Sequence, residues 1–256
     1  HASDLTTAGG RGPAFEAPEV EDNAYEDGAM TDLALSRLEH LAHGSKPFWM
    51  ALGFHKPHLP FNAPAKYWRL YDSQRIHLAD NPFLPHNATE FTRFNFSELR
   101  NYVGIPQGTQ PLPDDLALQL VHGYYACVTY VDAQIGRLLQ ALDRFKLREK
   151  TIIVLWGDHG WKLGEHGLWG KHTPFEWDCR APLIISAPHL SAAGQRTWAL
   201  AEFVDIYPTL CDLCGLARPD HLQGDSLAPL WQNPSRPWKR AAFTQWPKKD
   251  RDDPDK

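Results

Sequence analysis

Short apolar runs alternate with amphipathic helical patterns along most of this chain, and this alternation limits the folds it can adopt. The strand-length apolar runs are 48–53, 151–156 and 182–187, and the helical patterns cover 31–43, 116–145 and 203–216. An uninterrupted apolar run of this length is typical of a strand buried on both faces. Helices that alternate with such strands are typical of a layered α/β domain.

The regions outside this pattern are of two kinds. Residues 1–28 are rich in Gly, Ala, Pro and acidic side chains, which predicts a loop or linker. Residues 60–113 contain many Pro, Asn and aromatic residues. That composition predicts a long irregular excursion over the surface, of a kind that often serves binding.

The composition narrows the class of protein further. The chain has 256 residues and a formal net charge of −5, and it includes 10 Trp, 8 Tyr and 12 Phe. Its aromatic content argues against intrinsic disorder, and its length suffices for one substantial domain or two small ones. The slight negative charge offers no attraction for nucleic acid, and every apolar run is shorter than the roughly 20 residues that cross a bilayer. We therefore expect no nucleic-acid partner and no membrane span.

The densest group of chemically active side chains directly follows the run 151–156. Residues 157–172 contain five Gly, three His, two Lys, one Asp and one Glu. A carboxylate beside an imidazole at the end of a buried strand predicts a metal-binding corner, and the lysines could hold an anion there. The alternative is a Gly-rich loop with solvated charges. The variety of charge, the glycines and the position after a strand together favour a site.

A second group, His55-Lys56-Pro57-His58, directly follows the run 48–53. Its histidines could ligate a metal, donate a proton or cap neighbouring carbonyls. Ligands of open α/β sheets bind outside the carboxyl ends of the strands. We therefore expect His55 to converge with Asp158, His159 and Lys171 at one edge of a sheet.

Several motifs, taken in order, carry a family resemblance. The longest are G-F-H-K-P-H-L-P-F over 53–61 and G-D-H-G-W-K-L-G-E-H-G-L-W-G-K over 157–171. Shorter matching stretches are 124–132, 136–138, 181–184, 204–210 and 224–227. Together the motifs resemble the sulfatase family, most closely its iduronate-2-sulfatase branch and the bacterial relatives of that branch. The resemblance covers about residues 30–247.

The resemblance implies an alkaline-phosphatase-like α/β sandwich, with a mostly parallel or mixed sheet between helices, that is incomplete in this chain. It implies a loop or linker over 1–30 and the second half of the sulfatase α/β domain over 31–236. Residues 237–256 would be the start of a small C-terminal subdomain followed by a charged tail. It also implies an extracytoplasmic location, which is periplasmic, secreted or lysosomal.

The resemblance also assigns roles to site residues. Asp158 and His159 would bind one divalent cation, usually calcium. His55 would contact the sulfate and is a candidate acid for the leaving oxygen, while Lys171 would bind the sulfate and the bridging oxygen. These residue types fit because calcium prefers carboxylate oxygen and charge on a leaving oxygen calls for a proton donor or a cation. We expect a second layer of residues to hold these groups in position without binding the metal or the sulfate directly, namely Lys56, His58, Glu165 and His166.

Two parts of the family pattern have no counterpart in this sequence. The nucleophile of sulfatases is a Cys or Ser in a C/S-x-P-x-R motif, oxidised to formylglycine, and no such motif occurs here. The paired aspartates that end the first strand of the family and bind its metal are also absent. We therefore expect a segment of a longer sulfatase, inactive by itself, with the formylglycine in an N-terminal half that could act as a partner chain.

The sequence and its family resemblance are compatible with three functions. The first is a sulfuric ester hydrolase acting on a sulfated small molecule or a glycosaminoglycan-type sugar. The second is a phosphohydrolase or phosphodiesterase of the alkaline phosphatase superfamily, and the third is a non-catalytic remnant.

Overall fold

The structure, a computed structural model, describes residues 12–88, 97–188, 190–191 and 193–246. The described residues fall into two compact units. The first unit comprises those within 1–147 and 160–171, and the second comprises those within 148–159 and 172–256.

The described residues form a mixed set of helices and short strands. In chain order these are β1 (Phe15–Glu16), α1 (Glu26–Ala42), β2 (Phe61–Asn62), α2 (Ala65–Trp68), α3 (Ser97–Arg100), α4 (Asp114–Arg144), β3 (Ile153–Trp156), β4 (Lys162–Leu163), β5 (Trp169–Gly170), α5 (Glu176–Cys179), β6 (Leu183–Ser186), α6 (Ile206–Cys214) and α7 (Pro229–Gln232). Among these residues the strands pair into three two-stranded sheets. No helix in the described ranges is both long enough and apolar enough to cross a membrane.

Helix α4 is the centre of the first unit. The pattern over 116–145 predicts one long helix or two, and the structure forms one helix of 31 residues. Apolar side chains recur every three or four positions, so one face of the helix is buried against α1, α2 and β2. At Gly123 the packing is so close that an added Cβ would lie 2.9 Å from both the Cβ of Phe61 and the ring of Trp68.

The segment before residue 31 is not the loop or linker that its composition predicts. Helix α1 begins at Glu26, and β1 pairs in parallel with β2 through Phe15 and Phe61. The Asp22 carboxylate accepts hydrogen bonds from the Tyr67 hydroxyl at 2.8 Å and from Gln134 at 2.9 Å. These long-range contacts hold in place a segment whose sequence shows no periodic pattern. The prediction of a loop over 1–30 is therefore wrong for most of residues 15–30.

The run 48–53 is not the buried strand that its apolar sequence predicts. Its residues alternate between half-buried and exposed, and the Trp49 side chain is 76% exposed. A strand needs a neighbour that satisfies its backbone groups. Within the described ranges no strand pairs with this run, so it remains irregular.

The second unit is built on the antiparallel pair β3 and β6. Its register places Ile153 opposite Ser186 and Trp156 opposite Leu183. The predicted strands over 151–156 and 182–187 are thus confirmed in position. They are not buried on both faces, however, since Trp156 is 48% exposed and Ile184 is 60% exposed. No third described strand extends the ladder at its edges.

A buried aspartate organises the rest of the second unit. The predicted helix over 203–216 is a 3-10 turn followed by α6. Asp205, at their junction, is fully buried and accepts the N–H of Glu202 at 2.8 Å and the N–H of Asp225 at 2.9 Å. The Lys239 ammonium lies 2.7 Å from the same carboxylate and neutralises its charge.

Candidate active site

The turn after the run 48–53 is held in place by a buried carboxylate at the start of α1. Asp27 is 2% exposed, and its two oxygens accept the backbone N–H groups of His55 at 2.8 Å and Lys56 at 2.9 Å. Hydrogen bonds to an ionised carboxylate are stronger than neutral ones, and the first turn of a helix favours negative charge. Asp27 therefore fixes the backbone from which both side chains project.

The Lys56 side chain folds back over its own turn. Its ammonium donates to the carbonyl oxygens of His58 at 3.2 Å and Pro60 at 2.7 Å. Burial lowers the pKa of Lys56 below its ordinary value. The Lys56 ammonium thus satisfies two carbonyl groups of the turn, in which the peptide bonds before Pro57 and Pro60 are cis.

His55 is exposed to solvent at this turn. Its Nε2 lies 3.4 Å from the carbonyl oxygen of Leu59, and its ring centroid lies 5.2 Å from that of His58. An exposed imidazole with one long contact can receive a ligand or exchange a proton with it.

A compact charged cluster forms around the Lys171 ammonium. Nζ of Lys171 lies 2.6 Å from Nε2 of His58 and 3.1 Å from the nearer oxygen of Glu98. Nε2 of His58 lies 2.9 Å from the other oxygen of Glu98. The ammonium also stands 4.8 Å from the centroid of the Trp161 ring, within range of a cation–π interaction.

The Trp161 ring packs against this cluster and forms an aromatic platform for it. The ring lies edge-on to His58 at 5.5 Å and Phe61 at 6.2 Å, and stacked on Tyr124 at 6.5 Å. Such contacts fix the plane of the indole, because paired rings have few favourable geometries.

Elements distant in sequence bring the charged groups of this cluster together. The β4–β5 hairpin places Lys171 directly after β5, and α3, which carries Glu98, packs beside β5. Sequence reasoning missed Glu98 because α3 lies within the irregular stretch 60–113, where no motif or periodicity marks a single carboxylate. It missed Asp27 because that residue was assigned to a linker.

The loop between β4 and β5 is held by local and tertiary hydrogen bonds. The Glu165 carboxylate accepts the N–H of Leu163 at 2.6 Å, and the N–H of His166 donates to the carbonyl of Asn81 at 2.7 Å. Gly167 has a φ of +69°, and an added Cβ there would lie 2.9 Å from the carbonyl oxygen of Pro82. These contacts shape the loop that carries Lys171, and the functional roles of Glu165 and His166 stay predictions.

Asp158 and His159 belong to the second unit and directly follow β3. Nε2 of His159 lies 3.5 Å from the Asp158 carboxylate, whose side chain is 86% exposed. In the described part of the chain no three potential ligands are grouped so that they could hold a metal ion. Calcium takes six to eight oxygen ligands. One carboxylate and one imidazole therefore do not make a calcium site by themselves, and convergence of this pair with His55 and Lys171 stays a prediction.

The sequence as a whole matches a known family. A sequence model of the sulfatase family covers residues 7–216. This chain belongs to the sulfatase family. It is 32% identical over 235 residues to iduronate 2-sulfatase of Mus musculus, covering 80% of this chain and 42% of that protein. The chain therefore spans less than half the length of this curated relative.

Solved structures support the same fold. A phosphonate monoester hydrolase from Silicibacter pomeroyi superposes with a TM-score of 0.75 at 26% identity, over 93% of this chain and 48% of that one. A protein solved with its substrate D-glucosamine-2-N,6-O-disulfate superposes with a TM-score of 0.68 at 26% identity, over 88% of this chain and 57% of that one. The alkaline-phosphatase-like α/β class expected from the resemblance is thereby confirmed.

Proposed function

We propose that this chain supplies the sulfate-binding and part of the metal-binding residues of a sulfuric ester hydrolase of the iduronate-2-sulfatase type. The observation that carries the proposal is the cluster at Lys171. There the Lys171 ammonium contacts His58 of a motif more than a hundred positions away, and the His58 ring centroid lies 5.2 Å from that of His55. Membership of the sulfatase family and the similarity to iduronate 2-sulfatase support a sulfated sugar of the glycosaminoglycan type as substrate.

The proposed roles follow from how a sulfate ester breaks. Negative charge develops on the bridging oxygen as its bond to sulfur lengthens, and a cation or proton donor at that oxygen lowers the barrier. Lys171 would bind the sulfate and this oxygen. His55 would contact the sulfate and donate a proton to the leaving group, while Lys56 and His58 hold the turn and the ammonium in place.

We propose one divalent cation, calcium, with Asp158 and His159 as two of its ligands. Its remaining oxygen ligands would come from a further part of a longer sulfatase, because the described residues do not complete the set. That further part would also carry the formylglycine, in the same polypeptide or as a partner chain. An extracytoplasmic location belongs to the same proposal.

A second candidate is hydrolysis of a phosphonate or phosphate ester. It is favoured by the structural similarity to a phosphonate monoester hydrolase. Phosphonate monoesters and sulfate monoesters both place anionic oxygens on a tetrahedral centre, so the same cation could bind either. The G-F-H-K-P-H motif, which resembles sulfatases, favours the sulfate ester.

The test compares this chain alone with the chain co-expressed with an upstream sulfatase segment that carries C/S-x-P-x-R and with a formylglycine-generating enzyme. Both samples are assayed with calcium on an aryl sulfate, a sulfated uronic-acid disaccharide and an aryl phosphonate monoester. We expect turnover of the sulfates only in the co-expressed sample, because an activated nucleophile is required.

Variants then test the assigned residues in the active sample. Lys171→Met and His55→Ala should each lower kcat/KM at least about a hundredfold, since each removes charge stabilisation or proton transfer. The exposed Glu39→Gln serves as control and should leave activity unchanged. Turnover by the chain alone would contradict the proposal, and preference for the phosphonate would favour the second candidate.

A further inference from the structure

We propose that Glu98 is an internal counter-ion that occupies the anion-binding side of Lys171, so that an anionic ligand must displace the Glu98 carboxylate in order to bind. The inference rests on the proposed function, because it takes Lys171 as the anion-binding group. Glu98 would thereby set how tightly this site holds a tetrahedral oxyanion.

The Lys171 ammonium has one nearby acceptor atom for each of its three hydrogens. An ammonium has three N–H groups. Three acceptor atoms already surround Nζ of Lys171, namely Nε2 of His58 at 2.6 Å and the two Glu98 oxygens at 3.1 Å and 3.2 Å. The Trp161 ring faces the ammonium at 4.8 Å. An oxyanion that binds Nζ must therefore take the place of one of these acceptors.

The two side chains beside Nζ, His58 and Glu98, respond differently to an incoming anion. Nδ1 of His58 lies 2.9 Å from the carbonyl oxygen of Leu59. A carbonyl can only accept, so Nδ1 carries a proton and ties the His58 ring to the backbone of its own turn. Nε2 of the same ring lies 2.6 Å from the Lys171 ammonium and 2.9 Å from an oxygen of Glu98. Glu98 is thus the negatively charged group beside Nζ, and an anionic ligand competes with it rather than with the imidazole.

Electrostatic repulsion between Glu98 and a bound anion weakens binding of that anion. A carboxylate that stays beside Nζ would lie within a few ångströms of a bound sulfate, and the like charges would repel. The Glu98 side chain is 24% exposed, so solvent screens this repulsion in part. Neutralising Glu98 without changing its shape should therefore strengthen sulfate binding about threefold to tenfold.

The experiment measures binding of inorganic sulfate to the 256-residue chain by calorimetry at constant ionic strength. We expect Glu98→Gln and Glu98→Ala to bind sulfate about threefold to tenfold more tightly than the unaltered chain. Glu39→Gln, which removes the same charge from an exposed position of α1, should leave the affinity unchanged, and Lys171→Met should abolish binding. Circular dichroism checks that each variant is folded.

A measurement on the unaltered chain does not depend on any variant. With 13C-labelled glutamate, saturation with sulfate should shift the carboxylate resonance of Glu98, because that group loses its contact with the ammonium. An unshifted resonance at saturation would overturn the inference.

The outcomes separate this inference from the proposed function. Equal or weaker sulfate binding by Glu98→Gln, with binding still abolished by Lys171→Met, would overturn the inference and leave Lys171 as the anion-binding group. An equal gain in Glu39→Gln would also overturn it, because the effect would then come from net charge. Absence of sulfate binding in every sample would overturn the inference, whereas the proposed function is judged separately by turnover in the co-expressed sample.

Discussion

The two units differ in how firmly they hold their candidate site residues. In the first unit the backbone of His55 is fixed by the buried Asp27, and Lys171 is surrounded by Glu98, His58 and an aromatic platform. In the second unit Asp158 follows a two-stranded ladder and is largely exposed. The described chain therefore preorganises the proposed anion-binding residues with its own contacts, whereas it leaves the proposed metal ligands without a complete ligand set.

The packing of apolar side chains shows the same contrast. The long helix of the first unit buries Leu120, Ala126 and Tyr130 completely. In the second unit the strand pair itself exposes Trp156 and Ile184, whereas in the first unit an exposed side chain such as Trp49 lies outside the long helix. A sheet of two strands also has edges whose backbone groups are available for pairing.

The largest effect that would test this contrast is expected at Asp27. Asp27→Ala leaves the N–H groups of His55 and Lys56 without their acceptor, so we expect it to lower the free energy of unfolding by about 2–4 kcal/mol. Urea unfolding followed by tryptophan fluorescence measures the change. Glu39→Gln on the same helix is exposed and should change stability by less than about 0.5 kcal/mol. An Asp27→Ala variant as stable as the control would show that the turn is not held as described.

A pair of glycines in α4 tests how tightly the first unit is packed. Gly123→Ala would force a Cβ to within 2.9 Å of Phe61 and Trp68. We expect it to lower stability by about 1–3 kcal/mol, as overpacking does. Gly136→Ala, in the same helix with nothing within 4 Å of the added Cβ, should raise stability by up to about 1 kcal/mol because alanine favours helix. The same unfolding experiment measures both, and a loss at Gly136 equal to that at Gly123 would contradict the packing described.

The pH dependence of stability offers a test at Asp22. Burial raises the pKa of Asp22, but hydrogen bonds from Lys66, Gln134 and Tyr67 lower it more, so the folded pKa lies below the ordinary 3.8. A carboxyl whose folded pKa is depressed stabilises the protein at neutral pH, and this contribution is lost as pH falls below about 3.8 through the folded pKa. Asp22→Asn should therefore lose less stability than the unaltered chain between about pH 6 and about pH 3. Parallel stability curves for the two proteins would rule out this role.

Sequence reasoning predicted the elements that local periodicity determines. Helix α4 and the strands β3 and β6 lie where their patterns predict them, because amphipathic spacing and apolar runs are properties of neighbouring residues. The predicted burial of β3 was wrong, and so was the strand over 48–53, because burial and pairing depend on which other strands are present.

The candidate site was predictable only where a motif carries it. The family motifs led to His55 and Lys171, but nothing local marks Asp27 or Glu98. Asp27 acts on a turn 28 residues away and Glu98 on an ammonium 73 residues away. Such contacts exist only once the tertiary fold has formed, so a single sequence does not reveal them.

The smallest effect is expected at Asp158, and it tests the contrast from the side of the second unit. Because this carboxylate is largely exposed, Asp158→Asn should change the free energy of unfolding by less than about 0.5 kcal/mol. The loss expected for Asp27→Ala is several times larger. Asp158 and His159 offer only two ligand groups, so we expect their dissociation constant for calcium to be about 1 mM or higher. Calcium at about 1 mM should therefore stabilise the unaltered chain by less than about 0.5 kcal/mol. Urea unfolding with calcium and with a chelator measures both quantities. A large stabilisation by calcium that Asp158→Asn removes would show that this chain completes the metal site by itself, and the contrast between the two units would then fail.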